Sequence, residues 1–127
     1  MEIKMSVIEI ASIVTVLLTE FFKSAISETA KKSIEGLFGT IKAKMSEKSS
    51  GKKVVEEFQS FPDESKKQNE FEKQFIEKMK NDKDFAQRIA RELEPILQQN
   101  ETVIFLNKIG IINKSIQIKN MFGNIEM

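Results

Sequence analysis

A chain of 127 residues, 40% of them hydrophobic, is long enough to bury one core and too short for two domains of ordinary size. It holds no cysteine and no histidine, which excludes disulfides, thiol nucleophiles, imidazole bases and the ligands that zinc, copper and haem sites usually need. Twenty basic residues against 19 acidic ones leave a net charge of +1, so bulk charge steers the chain toward neither nucleic acid nor an anionic surface. Catalysis would have to rest on Asp, Glu, Lys, Ser or Thr alone. Gly36, Gly39, Gly51, Gly110 and Gly123 fit no phosphate-binding spacing. No enzyme, metal or cofactor is expected.

The apolar positions from Val7 to Ile26 predict a first helix. They cover more than the single stripe of a surface helix, which suits either the centre of a bundle or contact with lipid. The uncharged run between Glu9 and Glu20 is about half of the ~20 residues that span a bilayer. A signal peptide fits poorly, because Glu9 interrupts the apolar stretch and no basic cluster or cleavage site frames it. Two readings stand: a core helix, or a helix that is core at rest and enters membrane when activated.

Ser27 is placed to cap a second helix reaching about Met45, with Glu28 at the positive end of its dipole. Ala30, Ile34, Leu37, Phe38, Ile41 and Met45 form one stripe. Gly36 and Gly39 interrupt it, each costing about 1 kcal/mol relative to alanine. Close approach of the first helix would account for them, and so would a bending point. Ser46 to Gly51 reads as a polar loop, and the lysine run Lys42, Lys44, Lys48, Lys52 and Lys53 as a solvated linker, with a phosphate- or lipid-facing patch as the second reading.

A short third helix turns Val54, Val55 and Phe58 inward and stops at Phe61-Pro62-Asp63. Asp63 or Ser65 opens a fourth, with Phe71, Phe75, Ile76 and Met79 on one face. Asp82 caps a fifth, with Phe85, Ile89, Leu93, Ile96 and Leu97 as its stripe. Pro95 inside that stripe should kink or shorten the helix near Arg91 to Glu94. The fold class is all-α: an antiparallel four- to five-helix bundle over residues 1–100.

Residues 101–127 read differently. From Val103 to Met127 the only charges are Lys108, Lys114, Lys119 and Glu126, and isoleucine dominates the apolar positions. Isoleucine is stiff at its branched β-carbon and suits a half-buried strand. Ser115 to Lys119 alternates with period two, and Met121-Phe122-Gly123-Asn124 has the composition of a turn. A β-prone, weakly charged, proline-free segment can stack on copies of itself. It can also pair with a partner's sheet edge or remain disordered, although its apolar content argues against disorder.

This order of parts resembles the bacterial Bell domains, helical modules followed by an amyloid-signalling motif and regarded as counterparts of the fungal HeLo domains and of the necroptotic four-helix executioner. Three features carry the resemblance. They are the apolar helix from Val7 to Leu18, the charged helices opened around Phe61-Pro62-Asp63 and Asn81-Asp82-Lys83-Asp84-Phe85, and the tail from Asn113 to Ile125. In the tail, Ile116-Gln117-Ile118 is similar to a short aliphatic-Gln-aliphatic core followed by Gly123-Asn124 and a further aliphatic residue, Ile125. Met121-Phe122 stands where small or polar residues are more usual in such motifs.

The resemblance implies a cell-death executioner of a bacterial immune, anti-phage pathway, resident in the cytoplasm and acting at the inner membrane. Its implied partner is a STAND-type receptor with a matching motif, which templates this tail into a cross-β homo-oligomer. The implied self-assembly residues are Asn113, Ser115, Ile116, Gln117, Ile118, Asn120, Gly123, Asn124 and Ile125. The implied membrane-active residues are Ile10, Ile13, Val14, Leu17, Leu18, Phe21 and Phe22, with lipid as their partner. The alternative is a cytosolic helical adaptor that oligomerises by ordinary strand pairing of the tail and leaves membranes intact. A nucleic-acid partner is not expected, since the lysine run lacks interleaved aromatics.

Overall fold

A computed structural model describes residues 6–23 and 28–98, with the backbone alone at Thr29. It contains five helices: α1 Val7–Phe22, α2 Glu28–Met45, α3 Ser49–Ser60, α4 Ser65–Asn81 and α5 Lys83–Leu97. The expected all-α class holds among the described residues, which contain no strand. The β-prone tail, the first helix's expected end at Ile26 and the cap expected at Ser27 fall outside them.

Helix α1 begins where Ser6 takes an extended backbone and its Oγ accepts a hydrogen bond from the Glu9 amide at 3.1 Å. The same hydroxyl donates to the Glu9 carboxylate at 3.0 Å. Glu9 therefore serves the helix start rather than merely interrupting an apolar run, and a carboxylate there also favours the positive end of the dipole. The stripe expected for α2 is buried as a unit, from Ala30 through Ile34, Leu37, Phe38 and Ile41 to Met45.

The expected loop from Ser46 to Gly51 is shorter than composition suggested. Only residues 46–48 connect α2 to α3, because the Glu47 and Lys48 amides donate back to Lys44 and Met45 carbonyls at 3.3 and 3.4 Å and α3 has begun by Ser49. Gly51 permits this tight reversal. It is buried against the carbonyl of Met45, and a Cβ there would collide with that oxygen. The lysine run is accordingly no linker: Lys42 and Lys44 lie in the last turn of α2 and Lys52 and Lys53 in α3.

Helix α3 closes at Phe61, whose amide donates to the Glu57 carbonyl at 2.9 Å. Pro62 and Asp63 form the turn, and α4 starts at Ser65, the second of the two expected positions. Asp82 caps α5 as expected, its Oδ1 accepting from the Phe85 amide at 3.1 Å. Pro95 does not stop α5 near Arg91 to Glu94. The helix continues to Leu97 because Pro95 is exposed in the final turn: the bond it cannot make is the one to the carbonyl of Arg91, itself an exposed residue, and the next turn still closes with the Gln98 amide donating to Glu94 at 3.1 Å.

Two ion pairs fix the directions of neighbouring helices. Lys23 at the end of α1 lies 3.1 Å from Asp63 before α4, and Lys44 at the end of α2 lies 2.7 Å from Asp82 before α5. Both pairs of helices therefore run antiparallel. α1 touches all four others and sits at the centre of the bundle. A run of phenylalanine rings threads the core. Phe22 lies 5.0 Å from Phe38 and 5.2 Å from Phe58, and the contacts continue through Phe71 and Phe75 to Phe85 at spacings of 4.9, 5.4 and 6.0 Å. Every helix contributes to this run, and its edge-on and tilted contacts, with one stacked pair at Phe71 and Phe75, suit the ring quadrupole.

Candidate functional site

The first candidate is α1 itself. Ile10, Ile13, Val14, Leu17 and Leu18 are at most 3% exposed, while Phe21 and Phe22 are half-buried against the same core. The seven residues expected to be membrane-active thus share one continuous buried face. Thr15, the one buried polar residue among the described residues, donates its hydroxyl to the Ala11 carbonyl at 2.7 Å, and Thr19 donates to the Thr15 carbonyl at 2.8 Å. Both hydroxyls are satisfied by the helix's own backbone. At 16 residues α1 is about 24 Å long, against about 30 Å of bilayer hydrocarbon. No helix among the described residues is long and apolar enough to cross a membrane. Ile8 is 60% exposed on its outer side.

The second candidate is a groove between α2 and α5, with a volume of about 750 Å³. Its floor on α2 is Gly36, Gly39 and Ala43, and its α5 wall carries Asp84, Phe85 and Arg88. The expectation that α1 packs closely on the two glycines does not hold. Both are exposed, and a Cβ built at either would meet nothing within 4 Å. The α2 stripe already turns Ile34, Leu37, Phe38 and Ile41 inward, so the glycines fall on the opposite, outer face.

Charges bridge the ends of this groove. Lys44 holds Asp82 at 2.7 Å and reaches Glu47 at 3.7 Å, while Glu47 accepts from Lys78 of α4 at 3.3 Å. The Asp82 hydrogen bond raises the Lys44 pKa above its ordinary value. In return the Lys44 hydrogen bond, followed by that from the Phe85 amide, lowers Asp82. The Thr40 hydroxyl lies 3.0 and 3.1 Å from the two Glu92 carboxylate oxygens and 3.2 Å from the Gly36 carbonyl, which share its single proton, and Arg88 donates to the same carboxylate at 2.9 Å. Asp84 makes no ion pair among the described residues.

The lysine run does not assemble into one patch. Lys42 lies 5.9 Å over the Phe38 ring, Lys44 is engaged by Asp82, and Lys48, Lys52 and Lys53 are exposed. A smaller polar recess of about 210 Å³ lies between Met45, Lys48, Gln74 and Lys78. Among the described residues no group of acidic side chains could hold a metal ion. The self-assembly residues from Asn113 to Ile125 all lie outside the described residues.

Sequence reasoning missed two features: the Ser6–Glu9 cap and the open glycine face. The first had a signal, a serine followed three residues later by glutamate before an apolar run. The second had only the glycines, whose outward direction follows from counting around α2. Neither protein-family models, nor curated proteins, nor solved structures yield a match to this chain.

Proposed function

We propose that this chain is a membrane-perturbing cell-death effector of a bacterial immune pathway, switched on when its C-terminal motif is templated into a cross-β stack by a receptor bearing a matching motif. The observation that supports this reading is the character of α1. The helix with the greatest apolar coverage is held at the centre of a small bundle, and its two threonine hydroxyls are bonded within the helix. A helix whose threonine hydroxyls are bonded to its own backbone brings fewer unpaired polar atoms to lipid, and its charged residues, Glu9 and Glu20, lie toward its two ends. In a cross-β stack the chains repeat every ~4.8 Å, whereas packed helices lie 8–10 Å apart, so bundles attached to the stack are crowded. That crowding supplies the free-energy difference that a closed-to-open change requires. The protein would rest in the cytoplasm and act at the inner membrane.

One observation favours the second reading, a cytosolic adaptor. α1 touches every other helix, so its release takes the core apart. Adding preformed tail fibrils to the full chain with dye-loaded anionic liposomes separates the two. The effector predicts seeded fibrils together with dye release. Fibrils that form beside intact liposomes point to the adaptor, and a chain that never seeds removes the templating step from both.

A further inference from the structure

From the α2–α5 groove we infer that the segment Val103–Ile112 of the same chain docks there and holds the following motif against the bundle. The groove has a reason to be occupied. Gly36 and Gly39 sit in ordinary helical backbone, weaken α2, and relieve no contact within the described bundle. What they leave is bare helix backbone facing a cavity of about 750 Å³, which accepts a close approach from outside.

Chain length allows this segment to reach the groove. α5 forms one of its walls, and the chain leaves α5 at Gln98. Arg88 lies about 15 Å back along the helix from Gln98. The five steps from Gln98 to Val103 reach up to about 17 Å when extended. Val103 therefore comes within reach at the level of Arg88 and no sooner. From Gly36 to Glu47 the α2 side measures about 16 Å, room for about five extended or ten helical residues. Charge agrees with this placement. Lys108 is the only charged residue between Val103 and Ile112, and Asp84 on the groove wall has no ion pair among the described residues. The remaining residues of the segment are mostly apolar; what they cover is Phe85, Ala43 and the bare glycines, while Thr40, Lys44, Glu47, Asp82 and Arg88 also line the groove.

Docking stands on this geometry, and its consequence rests on the tail being the input motif. A seated Val103–Ile112 keeps Asn113 to Ile125 close to the bundle, so that templating has to compete with the groove. The absence of cysteine in the chain makes the test direct. In the full-length protein, paired substitutions Ala43→Cys with Leu106→Cys should form an intramolecular disulfide under mild oxidation, at least tenfold more than Lys73→Cys on the outer face of α4 with Leu106→Cys. The yield should not depend on protein concentration. Equal yields from the two pairs, or a product that is only a disulfide-linked dimer, overturn the docking; the dimer assigns the groove to a second copy. Adding Gly39→Leu, which projects a side chain into the groove from a position where a Cβ meets nothing within 4 Å, should cut the disulfide yield several-fold. By itself Gly39→Leu should shorten the lag before tail assembly by a similar factor. Efficient cross-linking with an unchanged lag overturns the guarding role. Failure of the chain to assemble at all removes the amyloid reading while the cross-link still decides the docking.

Discussion

At Gly51 a single added methyl group meets the Met45 carbonyl, whereas at Gly39 it meets open space. The two glycines look alike in the sequence and should respond oppositely. Gly51→Ala is expected to lower stability by about 1–3 kcal/mol through overpacking against backbone. Gly39→Ala should raise it by up to about 1 kcal/mol through helix propensity. Urea denaturation midpoints at unchanged m-value check both. Asp82 gives a residue-scale prediction about pH. Lys44 and the Phe85 amide depress its folded pKa below the ordinary 3.8, so the carboxylate's contribution is present above about pH 4 and is lost as pH falls through the depressed value. Asp82→Asn should therefore be less stable than the native chain at neutral pH, with the gap closing toward pH 3. Asp82→Ala, which also loses the cap, should be weaker than Asp82→Asn at both. A gap that stays constant with pH would show that the charge of Asp82 contributes nothing.

Along α1 the inner and outer faces differ sharply. Leu17 is fully buried and Ile8 is 60% exposed. Leu17→Ala should cost about 2–5 kcal/mol, the range for cavities in well-packed cores, while Ile8→Ser should stay within about 0.5 kcal/mol. Thermal or urea unfolding of the two variants measures the contrast, and a mild effect at Leu17 would mean that α1 is more loosely held than its burial implies. The periodic stripes of α2, α4 and α5 were legible because an i, i+3, i+4 pattern admits one inward face. Element boundaries were less so. Ser49 to Gly51 had loop composition yet joined α3, since the tight α2–α3 reversal needed a glycine against Met45 and local propensity was overridden by packing. Pro95 was less disruptive than in a helix centre because it fell in the last turn, where only the bond to the carbonyl of exposed Arg91 is lost and few further turns have to follow.

For the molecule as a whole, the proposed function couples two parts that are joined at Gln98: a bundle that buries α1 and a tail with strand composition. Seeding the full chain should release dye from anionic liposomes, and the extent of release should follow the amount of fibril rather than the amount of soluble protein. Moderate salt should weaken this response only partly if apolar insertion carries it, because screening acts on exposed charges and leaves apolar burial in place. A response abolished by salt would instead assign the membrane contact to surface lysines.

By itself the sequence determined the class and the inward faces. Residues such as Ile34, Phe71 and Ile89 recur at helical spacing, and water excludes such a stripe whatever its partners are. Its lack of cysteine and histidine likewise bounded the chemistry before any coordinates. Only the tertiary structure decided what faces outward. Gly36 and Gly39 carry no side chain to signal a contact, so nothing local distinguishes a glycine pressed against α1 from one lining an open groove. The same holds for Lys44 and Asp82, which are separated by a whole pair of helices in sequence and meet only because α2 and α5 pack antiparallel. Directional contacts between distant residues depend on how helices are arranged, and that arrangement is a property of the assembled core rather than of any one segment.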